Sequence, residues 1–398
     1  MKKSQTILFF TLPTHGHINP TIPVVQELVR RGNRVIVYTT KKYKDKFADT
    51  GAELRFPPSH LDVQQVKQIA RNPLALTEIL LDATQKVLPL AYEEIEKLKP
   101  DCIMHDSLAL WGKLGGKKYN IPAVSLITTF VMGKEALLAY PDIYIPEFLR
   151  IVMQPIKIIS LVKKYNAILT SQGIQSEGIL DLFSNKERLN IVFTSRYLQP
   201  KGDMFHDEYK FVGPAIYERK DESFPIRTGK NPLLYISLGT IYNDDTEFFK
   251  ICIEAFKGRN IEVILSIGEQ IDKTRLGEIP SNISVYPHVP QLKILEKTDV
   301  FVTHAGMNSI NESIYFGVPM IMFPVIQEQK MNARRISELG GGAVMDRKNL
   351  TPSSLYASVR RLLDDSAFKD NIYKIKKSFT DAGGYMRAVE EIERLTKS

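Results

Sequence analysis

The sequence predicts an α/β protein made of two doubly wound domains, each a parallel sheet covered by helices, facing each other across a cleft. Three observations support this prediction. Apolar segments of strand length alternate with helical segments, and the alternation starts again in the later part of the chain. A stretch rich in proline and charge, residues 211–232, separates the two series and is typical of a linker. The length of 398 residues also suits two cores better than one.

The first domain, residues 1–210, opens on an apolar strand predicted over 6–12. This start resembles a signal peptide, but its apolar core is short and no small-residue cleavage site follows, so we expect a strand and a cytoplasmic protein. A helix with one apolar face follows over 21–31 and ends at Gly32. The further predicted strands are 34–39, 54–56, 101–105, 123–127 and 191–195, and the further predicted helices are 41–50 and 108–119.

The second domain, residues 233–384, repeats this alternation. Its predicted strands are 233–237, 262–267, 283–286, 300–302, 318–325 and 343–345, and its predicted helices are 246–256, 291–297, 351–364 and 367–380. We expect the last helix, within 385–398, to pack back on the first domain. Ligands of doubly wound sheets bind at the carboxyl ends of the strands, so residues that follow the strands are the candidates for function.

Composition narrows the class of ligand. The formal net charge of +8 fits nucleic acid, an anionic surface or a phosphorylated substrate. The basic residues are scattered rather than clustered with aromatic residues, which disfavours nucleic acid. No apolar run reaches the length of a transmembrane helix, and membrane contact is not expected. Cys102 and Cys252 lie in apolar segments and are typical of buried thiols in a reducing compartment. No residues have the spacing of a metal site.

The stretch 299–332 is the most informative part of the chain. An apolar strand runs into a turn of small and polar residues, and a helix follows. Backbone N–H groups and the helix dipole make such a turn an anion site. The polar residues around it are His304, Asn308, Ser309 and Glu312, with Gly306 in the turn itself, and the stretch closes on Glu328 and Gln329. This set suggests a ligand that carries phosphates and a sugar.

Three other motifs precede this stretch in a fixed order. They are THGHINP over 14–20, SLGT over 237–240 and VPQ over 289–291. Together, the motifs resemble the family 1 glycosyltransferases, which use nucleotide sugars and have two Rossmann-like domains in the GT-B fold. The resemblance covers essentially the whole chain and is strongest to the bacterial macrolide and flavonoid glucosyltransferases. It implies an inverting transfer of a hexose, foremost glucose, from a UDP-sugar to a hydroxyl of a small hydrophobic acceptor, with no cofactor and no essential metal.

The resemblance also implies roles for residues of the second domain. His304 matches the histidine that binds the diphosphate, and Glu312 matches the carboxylate that accepts from the ribose hydroxyls. Val289 and Gln291 fall in the loop that contacts uracil. The residues implied in further phosphate or sugar contacts are Ser237, Gly239, Thr240, Gly306, Asn308 and Ser309.

Two positions depart from the plant members of the family. Glu328 and Gln329 match the pair that binds the sugar hydroxyls, but plant members carry aspartate at the first position, and the extra methylene bears on the choice of hexose. His288 stands where plant members carry a tryptophan that stacks on the base. Glu312 has an alternative role, because the spacing from Ser309 fits a capping box at a helix start.

His17 is the candidate general base. An acceptor hydroxyl must lose its proton as it attacks the sugar, and an imidazole with a pKa near 6.5 can take it at neutral pH. The family's base aligns with His17 rather than with the rival His15, and Asp106 matches the acidic partner that orients the ring. Asp106 could instead cap the helix that follows it.

The acceptor pocket is expected in the first domain, in the apolar stretches 67–89 and 128–184. Phe130 and Tyr140 are the candidate lining residues, and a core role is their alternative. A lipid or cell-wall transferase at a membrane surface remains an alternative function, with IKIISLVKK over 156–164 as its membrane segment. A nucleotide-sugar epimerase or a sensor without catalysis is another, and the His17–Asp106 pair argues against a sensor.

Overall fold

The structure is a computed structural model that describes residues 4–57, 72–175, 185–216, 224, 229–239 and 245–397. The chain divides into two compact units. The first comprises Met1–Tyr217 and Thr380–Ser398, and the second comprises Glu218–Phe379. The division falls within the stretch 211–232, of which 217–223 and 225–228 lie outside the described residues.

The first unit contains a parallel sheet. Its strands are β1 (Thr6–Phe10), β2 (Arg34–Tyr38), β3 (Glu53–Arg55), β4 (Cys102–Asp106), β5 (Ala123–Ile127), β6 (Leu189–Val192) and β7 (Tyr209–Phe211). Within the described residues they pair in the order β3-β2-β1-β4-β5-β6-β7. Every residue of β4 and β5 is buried, as expected for continuous apolar strands covered on both faces.

Helices cover both faces of this sheet. They are α1 (His15–Ile18), α2 (Ile22–Arg30), α3 (Pro73–Leu98), α4 (Leu110–Tyr119), α5 (Lys134–Ala139), α6 (Pro141–Val152) and α7 (Pro155–Ser171). Successive residues of β1 point to opposite faces. Ile7 and Phe9 share a core with α2, whereas Leu8 and Phe10 share a core with α3, α4 and α7. The two cores fix the register of β1 and thereby the loop that follows it.

The second unit contains a second parallel sheet. Its strands are β8 (Leu233–Ser237), β9 (Glu262–Ser266), β10 (Ile283–Tyr286), β11 (Val300–Thr303), β12 (Met320–Met322) and β13 (Gly342–Val344), and its order in the described residues is β10-β9-β8-β11-β12-β13. Its helices are α8 (Thr246–Phe256), α9 (Gln291–Lys297), α10 (Met307–Phe316), α11 (Gln327–Glu338), α12 (Pro352–Asp364) and α13 (Ser366–Ala382). The predicted fold class, two parallel α/β domains, is confirmed.

The last helix, α14 (Gly384–Leu395), lies in the first unit. Val389 and Ile392 are fully buried in the core that contains Ile7 and Phe9. Its Glu393 accepts hydrogen bonds from Arg31 at 3.4 Å and from Asn33 at 3.3 Å. The chain therefore enters the second unit once and returns to complete the core of the first.

Several elements differ from the sequence prediction. The helices α3, α5, α6 and α7 were not predicted individually within the apolar stretches, and β7 was not predicted at all. The segment Lys41–Thr50 forms 3₁₀ turns rather than an α-helix, although its buried residues Tyr43, Phe47 and Thr50 have helical spacing. The strand predicted over 318–325 is shortened to Met320–Met322, because Pro319 and Pro324 lack the N–H needed to extend the ladder.

Candidate active site

Each sheet reverses its strand order at one point, and the predicted site residues follow the strands at these points. The first sheet reverses between β1 and β4, and the second between β8 and β11. The loops after two such strands diverge and open a crevice for a ligand. The loop after β1 leads to His17 and β4 ends at Asp106, while the loops after β8 and β11 carry Gly239 and His304.

His17 and Asp106 form a hydrogen-bonded pair. Nδ1 of His17 lies 2.7 Å from Oδ2 of Asp106. The other carboxylate oxygen, Oδ1, accepts from the backbone N–H of Leu108 at 2.9 Å. Asp106 is buried and His17 is partly exposed. A carboxylate held on both oxygens orients an imidazole and stabilises its protonated form, and Nε2 is then the ring nitrogen suited to take a proton from a substrate.

The structure disfavours the two alternatives, His15 as the base and Asp106 as a helix cap. The ring of His15 packs edge-on against Tyr43, with ring centroids 5.0 Å apart, and the Asp106 carboxylate faces His17 instead. The helix α4 begins at Leu110 with Ala109 as its N-cap residue, so Asp106 does not cap it. The bond from Asp106 to Leu108 belongs to the turn before that helix.

Thr128 is a further neighbour of the pair that the sequence analysis missed. Its Oγ1 lies 3.2 Å from Nδ1 of His17. It follows β5, which pairs with β4 in parallel, so its backbone leaves the sheet beside Asp106. A polar residue directly after β5, the strand next to the one that ends at Asp106, was the available signal. This contact restricts rotation of the His17 ring about its Cβ–Cγ bond.

In the second unit, His304 is held between two glycines. A Cβ atom on Gly239 would lie 2.4 Å from Cε1 of His304, and one on Gly306 would lie 2.6 Å from Nε2. Gly239 follows β8, and Gly306 follows β11, which pairs with β8. The glycines allow the imidazole to fill the space between the two turns.

Burial lowers the pKa of His304 to about 4, and the positive charge of Arg347 acts in the same direction. Nδ1 of this ring is buried and lacks a hydrogen-bond partner in the part of the chain that the structure describes. Arg347 follows β13 and donates to Asp245 at 2.8 Å. His304 is therefore neutral near pH 7 without ligand, so it offers an anion an N–H group rather than a full charge. A bound diphosphate would raise its pKa.

The turn after β11 has the geometry of an anion site. The helix α10 begins at Met307 with Gly306 as its N-cap residue, so Asn308 and Ser309 lie in the first turn. The backbone N–H groups of a first turn have no acceptor within the helix. Ala305 has a φ of 65°, a left-handed conformation that is uncommon for a residue with a Cβ and is found at ligand sites. Its carbonyl accepts from Asn332 at 3.0 Å, which holds the turn in place.

The capping-box alternative for Glu312 is wrong, because Ser309 is not the N-cap residue of α10. Glu312 lies in the second turn and accepts from Nε2 of Gln291 at 2.6 Å. Oε1 of Gln291 in turn accepts from the hydroxyl of Tyr235 at 3.1 Å. The sequence analysis missed Tyr235, since a tyrosine in a buried strand is ordinarily a core residue.

Glu328 and Gln329 lie at the start of α11. Oε1 of Gln329 accepts from the backbone N–H groups of Val325 at 2.8 Å and Ile326 at 3.2 Å, so its oxygen caps the helix. Glu328 is partly exposed and accepts from Asn332 at 3.4 Å. Asn332 thus contacts both Glu328 and the Ala305 turn, and links the predicted sugar-binding pair to the predicted phosphate site.

The remaining residues predicted to bind the sugar donor make fewer described contacts. Ser237 ends β8, and its Oγ accepts from the N–H of Gly239 at 3.3 Å. Val289 is buried and His288 is exposed. Thr240 lies outside the described residues. Among the residues that the structure describes, no group of three or more His, Cys, Asp or Glu side chains is placed to hold a metal ion.

The two predicted acceptor residues, Phe130 and Tyr140, are each only 2% exposed, so they belong to the core rather than to an open pocket surface.

Exposed apolar side chains lie nearby in the chain instead, on and around α5, α6 and α7. They are Met132, Leu137, Leu138, Ile145, Phe148, Leu149, Val152, Met153, Ile156 and Ile159. The helix α6 has no buried residue at all. We call this set of side chains the apolar patch. Large exposed apolar side chains in such number are uncommon on a protein surface, and this makes the apolar patch a candidate binding face. Parts of the two predicted stretches, 67–71 and 176–184, lie outside the described residues.

Comparison with known proteins identifies close relatives. The family model for UDP-glucoronosyl and UDP-glucosyl transferase matches residues 217–383. The chain is 33% identical over 399 residues to the NDP-glycosyltransferase YjiC of Bacillus subtilis (strain 168), covering 99% of this chain and 98% of the relative. It is 29% identical over 397 residues to the oleandomycin glycosyltransferase of Streptomyces antibioticus, covering 97% and 90%. The solved glycotransferase of kitacinnamycin superposes with a TM-score of 0.89 at 29% identity, over 99% of this chain and all (100%) of that one.

Proposed function

The chain belongs to the UDP-glucoronosyl and UDP-glucosyl transferase family, and we propose that it transfers glucose from UDP-glucose to a hydroxyl group of a small hydrophobic acceptor, with inversion. The observation that carries this proposal is the 2.7 Å contact between Nδ1 of His17 and Oδ2 of Asp106. It supplies an oriented base with a stabilising carboxylate. The first unit would hold the acceptor and the second unit the donor.

The reaction would be a single displacement. The acceptor hydroxyl gives its proton to Nε2 of His17 while its oxygen forms a bond to the anomeric carbon. The bond from that carbon to the diphosphate oxygen breaks, and its electron pair leaves with UDP. Asp106 stabilises the imidazolium that forms. The His304 N–H and the backbone N–H groups at the start of α10 stabilise the growing charge on the diphosphate.

Donor recognition would use the residues gathered around α10 and α11. Glu312 would accept from the ribose hydroxyls. Glu328 would accept from the sugar hydroxyls, and Gln329 would donate through its amide group, since its oxygen is already bonded to the backbone. The loop of Val289 would contact the base through its backbone, because the Val289 side chain is buried.

The apolar patch supports an apolar acceptor. Met153 and Ile156 are 81% and 85% exposed, and water-exposed side chains of this size gain free energy when an apolar ligand covers them. The oleandomycin glycosyltransferase and the glycotransferase of kitacinnamycin are named for natural products, which supports the same class of acceptor. Polyphenols and macrolides are therefore the first acceptors to test.

A transferase acting on lipid at a membrane surface is the second candidate, because the apolar patch includes residues of the segment 156–164. Two lysines of this segment form ion pairs with α3: Lys157 with Glu78, and Lys164 with Asp82. These pairs reduce the positive charge that would attract anionic lipid. No helix in the described ranges is long and apolar enough to cross a bilayer. Flotation with anionic vesicles tests this candidate, and co-flotation would favour it.

The proposal is tested by incubating the protein with a panel of nucleotide sugars and a pool of phenolic and macrolide acceptors, followed by mass spectrometry. We expect a mass gain of one hexose on an acceptor with UDP-glucose, and a β-linked product by NMR. Epimerised sugar formed from UDP-glucose alone would favour an epimerase and contradict the proposal. An α-linked product would contradict the single displacement.

A further inference from the structure

Tyr235 is a buried polar residue that the proposed chemistry does not use. It lies in β8, is 1% exposed, and its register partner on β11 is Phe301. The two rings stack with centroids 4.8 Å apart and an interplanar angle of 5°. Stacking fixes the plane of the Tyr235 ring, and the ring fixes the position of its hydroxyl. The hydroxyl therefore has a defined place within hydrogen-bonding distance of Gln291, at the start of α9.

Only one assignment of donor and acceptor atoms is consistent with the two hydrogen bonds of the Gln291 side chain. The hydroxyl of Tyr235 donates to Oε1 of Gln291 at 3.1 Å, and Nε2 of Gln291 donates to Oε2 of Glu312 at 2.6 Å. Rotating the amide by 180° would place its oxygen against a carboxylate oxygen, and two acceptors repel each other. The Glu312 carboxylate thus sets which end of the amide faces it, and the Tyr235 hydroxyl holds the amide in place by donating to its other end.

The ionisation states fit this assignment. Burial raises the pKa of Tyr235 and outweighs the hydrogen bonds with Ser237 and Ser266, which lower it; the negative charge of Glu312 acts in the same direction as burial. The hydroxyl therefore remains protonated and can donate. A short bond from an amide N–H to a carboxylate is a charge-assisted bond, which is stronger than a neutral one. The chain of bonds therefore runs from a fixed donor in the sheet to the carboxylate on α10.

We propose that the Tyr235 hydroxyl is a positioning group for nucleotide recognition: through Gln291 it holds the Glu312 carboxylate in the orientation that accepts from the ribose hydroxyls. The inference rests on the proposed function, in which Glu312 binds the ribose. Its consequence is selectivity for a ribonucleoside diphosphate over one that lacks the ribose hydroxyls. Ordering both side chains before the ligand arrives lowers the entropic cost of binding.

The test is calorimetric titration of the full chain with UDP and with 2′,3′-dideoxyuridine diphosphate. We expect Tyr235→Phe to weaken UDP binding about 3- to 10-fold, the range of one lost hydrogen bond, and to leave binding of the dideoxy analogue within about twofold. Tyr356→Phe is the matched control, because it removes a hydroxyl from the same unit at a partly buried residue of α12 that packs against the core. It should leave both affinities unchanged.

The outcomes separate this inference from the proposed function. Equal losses for both nucleotides in Tyr235→Phe, or no loss for either, would overturn the positioning role. Wild-type protein that binds UDP and the dideoxy analogue equally would instead overturn ribose recognition by Glu312. If Tyr235→Phe fails to fold by thermal melting, Phe301→Leu decides the question, because it removes the ring that fixes the plane of Tyr235. Phe301→Leu should give the same selective loss for UDP, and an equal loss for both nucleotides would overturn the inference.

Discussion

Gly239 and His304 come from neighbouring strands, and the Cβ that Gly239 lacks would lie 2.4 Å from Cε1 of the imidazole. Gly306 closes the ring from the other side, at 2.6 Å from Nε2. The histidine is therefore held by backbone on two sides. A ring held in this way can present an N–H group to a diphosphate without losing rotamer freedom on binding.

Gly239→Ala should weaken UDP binding by about tenfold or more, because the methyl group displaces His304. Gly239 also has a φ of 75°, so any side chain adds backbone strain. Gly258→Ala is the matched control, since Gly258 has a φ of 66° but a Cβ there meets nothing within 4 Å. Both variants should lose stability in thermal melts, but only Gly239→Ala should lose UDP affinity in calorimetry. If Gly239→Ala and Gly258→Ala bound UDP with equal affinity, the contact between residue 239 and His304 would not be the cause of the weaker binding.

The stability of the second unit should depend on the protonation of His304. Its folded pKa of about 4 lies below the ordinary value of 6.5, so between these values the unfolded chain binds a proton that the folded chain does not. The free energy of unfolding should therefore fall as the pH falls from 6.5 towards 4, by roughly 1–2 kcal/mol at pH 5. His304→Gln should remove this part of the pH dependence in urea titrations at pH 7 and pH 5. The same dependence in the wild type and His304→Gln would contradict the pKa shift, and the exposed His288→Gln serves as control.

The apolar patch should determine acceptor affinity. Phe148→Ser removes a ring that is 61% exposed, so it should raise the KM for a phenolic or macrolide acceptor several-fold while leaving the KM for the UDP-sugar and the melting temperature nearly unchanged. Tyr373→Ser, at a residue that is 67% exposed on α13, is the control. Initial rates measured against each substrate provide the comparison. An unchanged acceptor KM in Phe148→Ser would show that the acceptor binds elsewhere.

Turnover should not depend on a divalent metal, because the proposed stabilisation of the diphosphate comes from the His304 N–H and the start of α10. Initial rates after dialysis against excess EDTA should equal those of untreated enzyme. Loss of rate on EDTA treatment, restored by adding Mg²⁺ or Mn²⁺, would contradict this part of the proposal.

The sequence predicted the two sheets well because their strands are continuous apolar runs that end at recognisable turns. The segment Leu233–Ser237 was predicted to the residue, and so was Ala123–Ile127. It did not resolve α5, α6 and α7, because Pro141, Pro146 and Pro155 interrupt this segment and proline is ordinarily a sign that a helix is broken. The exposure of these helices was equally invisible, since burial depends on contacts between distant segments.

At the candidate site, motifs in the sequence identified the candidate residues but not most of their hydrogen-bond partners. The pairing of His17 with Asp106 was implied by the resemblance to the family 1 glycosyltransferases, whereas the contact of Thr128 with the same ring required the register of β4 and β5. The link from Tyr235 to Glu312 joins residues far apart in sequence, and no local pattern signals it. The capping box at Ser309 shows the converse error, in which a local pattern is present but the helix starts three residues earlier, with Gly306 as its N-cap residue.

The most direct test of the central claim is the rate of glucosyl transfer by His17→Gln and Asp106→Asn, with His15→Gln as the control. The account predicts that kcat falls by about 10²-fold or more in His17→Gln, that Asp106→Asn is also strongly impaired, and that His15→Gln is nearly normal, while all three bind UDP like the wild type. Wild-type turnover in His17→Gln, with UDP binding intact, would contradict the account.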